Sequence, residues 1–365
     1  MADHSMMAHD ADAAVMRMYF EEIELELLKM IQKRADKGKS FTADDWIMNQ
    51  SREVRRLRNE MESYGLNVTT EFSEMLDVLI DDVYADYSDG FRTDFEAAGA
   101  YGFNAISLTA LNTLKNEQMR LFNQAFSKYI NSNVQDYQST MNEAVRASVQ
   151  VESGNKAFYD AVKDGVLKSA EKGLTGFTDT AGRKWTMPTY MDMFVKTTMF
   201  NAANQALFDE MQDHNHDLMI MSQHAGACPI CSDWQGQIIS MSGRDSRYPS
   251  YDDLVNAGVF HPNCEHTIAP YFPGFTQVED AIPHDPDKYQ ARQKQRYYER
   301  NMRKWRRVEA VADGNAKKAA RVKVNEYYTK LMDHIDANDL KRNPQRERIM
   351  QVERNVHARR QKKEE

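Results

Sequence analysis

All three cysteines of the chain, Cys228, Cys231 and Cys264, fall in one window with His224, His261 and His266. The window reads "HAGACPICSDWQGQ" from His224 and "FHPNCEHTIAPY" from Phe260; as spacing it is C-x2-C-x29-H-x2-C-x-H. Thiolate sulfur and imidazole nitrogen are the donors that zinc takes in tetrahedral structural sites. A C-x2-C turn presents two thiolates to one ion, and Pro229 stiffens that turn. "HPNCEH" offers a second donor pair about thirty residues on, the layout of small zinc modules. The preferred ligand set is Cys228, Cys231, Cys264 and His266. His261 is the main rival for the fourth place, because spacing does not choose between the two histidines that flank Cys264; His224 is a further alternate. The competing account is three buried free cysteines beside hydrogen-bonded histidines, since cysteine often serves as a small apolar core residue. The clustering of every cysteine beside three histidines favours zinc.

A closed four-ligand site stabilises a fold, whereas a catalytic one keeps an open position and a base nearby. Glu265 adjoins the donors, but nucleobase deaminases carry H-x-E ahead of P-C-x-x-C, and here C-x-x-C comes first and no H-x-E exists. H-E-x-x-H is absent too. The zinc is therefore read as structural, and Asp233, Trp234 and Gln235 as residues that pack and bond around the knuckle. No residue is assigned a catalytic role and the chain is read as not an enzyme. The alternative kept open is a metal-dependent, nuclease-like enzyme acting through His261 and His266.

These donors need elements to hold them. The 365 residues predict two or three domains, and 41 % hydrophobic with 28 % charged residues suits a soluble protein with much exposed helix. The first twenty residues lack the basic start and apolar run of a secretory signal, and no stretch reaches the ~18 uninterrupted apolar residues of a membrane span. Charge is divided unevenly. Residues 288–365 hold 23 Lys+Arg against 11 Asp+Glu, and residues 1–287 hold 24 against 44, within a net charge of −8. Such a basic end can meet nucleic acid, an acidic protein surface or the protein's own acidic body.

Apolar residues recur at helical spacing over residues 13–34 (Met16, Phe20, Ile23, Leu27). A second helix is expected from Thr42 to about Gly65, and a third over "TTEFSEMLDVLIDDVYADYSDGF". Residues 107–150 read as one long helix or as two broken near Asn131. "GLTGFTDTAGRKWTMPTY" reads as turns with a hairpin, and Pro188 opens the helix that leads to the Cys/His window. "WQGQIISMSG" holds a short strand, and "YPSYDDLVNAGVF" a short helix stopped at Gly258. Residues 289–312 form a long basic helix, "NAKKAARVKVNEYYTKLMDHI" a second, and residues 345–360 a candidate third. The fold class expected is mainly α. It has an N-terminal helical bundle (1–172), a small α+β zinc-knuckle-like Cys/His module (173–285) and basic C-terminal helices (286–365).

"GLTGFTDTAGRKW", "HAGACPICSDWQGQIISMSG", "YPSYDDLVNAGVFHPNCEHTIAPYFPG" and "QRYYERNMRKWRR", in this order, resemble the minor capsid protein family of tailed phages of Gram-positive bacteria. They are similar also to the wider group of Mu F-like head morphogenesis proteins. The resemblance covers roughly residues 170 to 350 and, more loosely, the helical N-terminal part. It implies a structural protein of the virion, made in the host bacterial cytoplasm. It implies a place in the capsid interior or at the portal vertex in multiple copies, with portal and major capsid proteins as partners. A role in head assembly, packaging or ejection follows. It implies no membrane partner and no enzymatic activity. Family members differ at the positions of Cys228 and His261, which leaves the choice between Cys228 and His224 open. A basic tail suits the inside of a head filled with double-stranded DNA, because cations on phosphates release counterions without sequence preference. Arg296, Arg300, Arg303, Lys304, Arg306 and Arg307, interleaved with Tyr297, Tyr298 and Trp305, are the nucleic-acid-binding candidates. A solvated helix with ordinary core aromatics is an equal reading. The remaining alternative is a DNA-binding assembly factor that leaves before maturation.

Overall fold

The computed structural model describes residues 10–37, 42–100, 108–149, 154–174, 178, 182, 185–261 and 264–349. The fold is mainly helical, with a small three-stranded sheet beside the Cys/His window. The long helices are α1 (Asp10–Lys37), α2 (Ala43–Ala97), α3 (Leu108–Val149), α4 (Gly154–Lys172), α5 (Met187–Asp213), α8 (Pro286–Val311) and α9 (Gly314–Ala337). Two short helices, α6 (Pro229–Ser232) and α7 (Tyr251–Asn256), alternate with strands β1 (Leu218–Met221), β2 (Ile238–Ser240) and β3 (Ile268–Pro270). A 3-10 turn, Pro344–Glu347, starts the segment expected to be a third tail helix; that segment beyond residue 349 lies outside the described residues, as does most of the expected hairpin at 173–184.

The expected second and third helices are one, because α2 runs through Gly65 for 55 residues. Its apolar stripe continues across the glycine (Leu57, Met61, Val68, Phe72, Leu76), and burial of that stripe outweighs the ~1 kcal/mol helix penalty of glycine. A Cβ at Gly65 would stand 3.1 Å from the Phe126 ring, so the missing side chain lets α2 lie close to α3. The break considered near Asn131 is absent also. The amides of Asn131 and Asn133 donate to Ser127 O and Tyr129 O, one turn back in α3, at 3.0 and 2.8 Å.

The chain divides into two compact units. One holds Met1–Ala13, Glu74–Met119 and Asp192–Lys294; the other holds Ala14–Ser73, Arg120–Met191 and Gln295–Glu365. In the first, Phe95 stacks on His214 at 4.2 Å and meets Phe272 edge-on at 5.1 Å. Buried Glu210 accepts a 2.6 Å hydrogen bond from Ser88, with Arg92 3.5 Å away. The sheet has order β2-β1-β3, antiparallel throughout, with Leu218 opposite Ser240 and Met221 opposite Ile268. Met219, Ile239 and Ile268 carry its buried side.

In the second unit Phe20, Phe72, Phe122 and Phe126 form a continuous aromatic column with ring spacings of 5.2, 4.2 and 5.4 Å. Trp46, 1 % exposed, packs edge-on against Tyr137. The C-terminal helices close on their own small core of Met302, Leu331 and Ile335, flanked by Tyr298, Tyr327, Met332 and Leu340.

Candidate metal centre and the basic face

The knuckle begins where β1 ends. Gly236 N donates to Met221 O at 3.0 Å and Ser222 N to Thr267 O at 2.9 Å, tying both donor loops to one strand. Gly236 has φ +75°, and a Cβ there would lie 2.7 Å from the Gln223 side chain; only glycine fits this turn. Cys228 caps α6 by accepting from Cys231 N, and Pro229 occupies the first helical turn, where its missing N–H costs nothing. Trp234 N and Gln235 N both donate to Cys231 O, at 3.1 and 3.0 Å, which fixes the buried thiol. On the other side Cys264 N donates to His261 O at 2.8 Å. Phe260, just before it, holds φ +58°, a strained value for a bulky side chain, between the rings of Phe200 and Tyr251 at 5.1 and 5.7 Å.

The donors form two triads that share Cys231. Cys228, Cys231 and His261 make one, and Cys231, Cys264 and His266 the other, each with ligand atoms within 4.8 Å of one another. Cys228 Sγ lies 3.0 Å from His261 Nε2, Cys231 Sγ 3.7 Å from Cys264 Sγ, and Cys264 Sγ 3.4 Å from His266 Nδ1. The Cys231 hydrogen bond, opposed by burial, holds the Cys264 thiol down at about 4. The same hydrogen bond, followed by burial, pushes Cys231 up. Burial pulls Cys228 upward, but the Cys231 N–H and His261 outweigh it and leave Cys228 below the ordinary thiol range. Burial, then His266, lowers His224 below the ordinary histidine range.

This donor set fits zinc. Bonds of about 2.3 Å to sulfur and 2.05 Å to nitrogen, at tetrahedral angles, place two sulfurs about 3.8 Å apart and a sulfur and nitrogen about 3.5 Å apart. The Cys231–Cys264 and Cys264–His266 spacings meet both values. The second shell fits as well. Buried Gln235 accepts from His266 Nε2 and from His224 N, each at 3.2 Å, and its own amide donates to Ile282 O. A histidine so held has Nδ1 free for a metal. A bound ion would supply a crosslink between two loops; the residues present orient its ligands. The centre is braced by α8 and the loop before it: Arg292 of α8 pairs with Glu265 at 3.3 Å, and His284 Nδ1 of the loop lies 3.1 Å from Ala227 O. The preferred quartet is thus split between the triads. His224 lies outside both, its ring 4.2 Å from that of His266.

The six basic candidates separate into different environments. Arg307 is buried against Glu21 (3.2 Å) and Glu24 (3.4 Å), and Arg303 pairs with Glu21 at 2.9 Å. Lys304 pairs with Glu171 at 2.8 Å. Arg306 is half-buried with Nε unpartnered among the described residues, Arg296 is half-buried and Arg300 exposed. Of the partners considered for the basic end, the protein's own acidic residues hold Arg303, Lys304 and Arg307. Arg303 and Arg307 therefore use their charges inside the fold. Glu21 and Glu24 were not singled out in the sequence. The signal was present: both are carboxylates on the α1 face that carries Phe20, Ile23, Leu27 and Leu28, and both are 1 % exposed or less.

A profile of the phage minor capsid protein 2 family matches residues 9–336, and the chain belongs to that family. A structural protein of Lactococcus phage LL-H is 29 % identical over 223 residues, 56 % of this chain and 58 % of the relative. The chain thus spans somewhat over half the length of that relative. A structural protein of Lactococcus phage mv4 is 31 % identical over 121 residues, 29 % of this chain and 95 % of the relative. No solved structure matches. Among the described residues no helix is long and apolar enough to cross a membrane.

Proposed function

We propose that this chain is a non-enzymatic building part of the phage head, docked at the portal vertex and in contact with portal and major capsid proteins. The family match over residues 9–336 carries this reading. Two features support it. The donor cluster is backed by Gln235, tied to β1 through Gly236 N and Met221 O, and joined to α8 through Arg292 and Glu265, as suits a fold-stabilising crosslink. The long helices place acidic and basic side chains in internal pairs, as suits a rigid spacer between other proteins.

A role beside packaged DNA is part of the proposal. Its cations are the exposed ones, Arg300 on α8 and Lys317 and Lys318 on α9. Mass spectrometry of gradient-purified particles, with this chain quantified against portal protein, tests the assignment. A constant low ratio in DNA-filled heads is expected. Presence in procapsids with absence from filled heads would replace it with a transient assembly factor.

A further inference from the structure

We infer that the metal ligands are His224, Cys231, Cys264 and His266, and that Cys228 and His261 form a separate pair outside the coordination sphere. The inference rests on the metal reading above and chooses among its donors. Three observations carry it. First, His224 Nε2 is buried and has no hydrogen-bond partner among the described residues. A buried polar atom left unpaired is costly, and a metal bond is one way to satisfy it. Second, the two imidazoles are set in complementary tautomers. His224 has Nδ1 toward Ala225 O at 3.5 Å and His266 has Nε2 on Gln235 Oε1, so each keeps the opposite nitrogen as a lone-pair donor. The two rings lie side by side, with centroids 4.2 Å apart and planes 33° from parallel, so His224 is the imidazole next to the Cys231, Cys264 and His266 triad.

Third, the spacings discriminate. Cys231–Cys264 at 3.7 Å and Cys264–His266 at 3.4 Å match the edges of a tetrahedral zinc site, about 3.8 and 3.5 Å. Cys228 and His261 approach to 3.0 Å, closer than two ligands of one zinc stand, and satisfy each other without an ion. The inner set is also the more buried one: Cys231 and His266 are buried, whereas Cys228 and His261 are both half-exposed. Two thiolates and two imidazoles around a divalent ion leave the centre neutral, which suits burial. Adding Cys228 as a thiolate would leave a net negative charge there.

The test uses the full chain with zinc content measured and cobalt substituted for spectroscopy. Cys228→Ser and His261→Gln should each retain one metal per chain and the full thiolate-to-cobalt band. His224→Ala should weaken zinc at least about tenfold. His224→Cys should retain the metal and raise the band by about half, as two thiolates become three; this variant keeps the test decisive should the alanine variant fail to fold. Loss of metal or a weaker band in Cys228→Ser, with His224→Ala unchanged, would overturn the assignment in favour of Cys228. Wild-type chain that takes up no zinc or cobalt would overturn the metal reading itself, and this assignment with it.

Discussion

At the scale of single residues, the centre depends on Cys231, which both triads share and which is fully buried. Cys231→Ser should abolish zinc binding. It should also lower the melting temperature of zinc-loaded protein, by the equivalent of about 2.7 kcal/mol or more at hundredfold saturation. Zinc content and calorimetry check this; full metal content with unchanged melting would remove Cys231 from the ligands. Glu24 is a second residue whose chemistry is set by its surroundings. Burial, countered in part by Arg307, raises its carboxyl from 4.5 to about 7. The folded chain therefore binds this proton more tightly than the unfolded chain does. The stabilisation that results is complete below about pH 4.5 and is lost as pH rises toward 7. Melting temperature should therefore fall between pH 5 and pH 8, and Glu24→Gln, which keeps an acceptor for Leu174 N, should flatten that slope. An identical slope in the variant would show that another group is responsible.

At the scale of elements, glycines decide how closely helices pack. A Cβ at Gly165 of α4 would stand 2.2 Å from Thr140 Cγ2 of α3, an overlap that no small shift relieves. Gly165→Ala gains about 1 kcal/mol of helix propensity but overpacks the contact, at a cost of about 1–3 kcal/mol. The net expectation is a lower melting temperature. Thr140→Ser removes the clashing methyl and should restore stability in the double variant; if Gly165→Ala alone is stabilising, the contact is softer than described. The knuckle follows similar logic at Gly236, where φ and the Gln223 side chain both require glycine. Helix continuity follows the same rule. Neither Gly65 nor the Asn131 region ends a helix, because burial of the apolar stripe outweighs the local preference.

At the scale of the whole molecule, the basic end divides its charges between internal pairing and the surface. Reversing Arg303 and Arg307 would leave buried Glu21 and Glu24 facing like charge, which costs about 3–5 kcal/mol or more and confounds any DNA measurement. Reversing exposed Lys317 and Lys318 should leave melting unchanged while flattening the salt dependence of DNA affinity. Unchanged affinity and slope would assign that face to protein contact. The sequence by itself determined what depends on local order. Helical periodicity marked α1, α8 and α9; Gly258 marked the end of α7; and ligand chemistry with C-x2-C spacing picked out the candidate centre, since two donors on one turn are a local property. Strands β1 and β3 were not legible, because "LMIM" and "IAP" are too short to show alternation and exist only by pairing within the sheet. Tertiary structure alone divided five candidate donors into two triads, left His224 Nε2 without a hydrogen bond among the described residues and turned Arg303 and Arg307 toward α1. Each of these depends on distances between segments far apart in the chain, which neither composition nor spacing encodes.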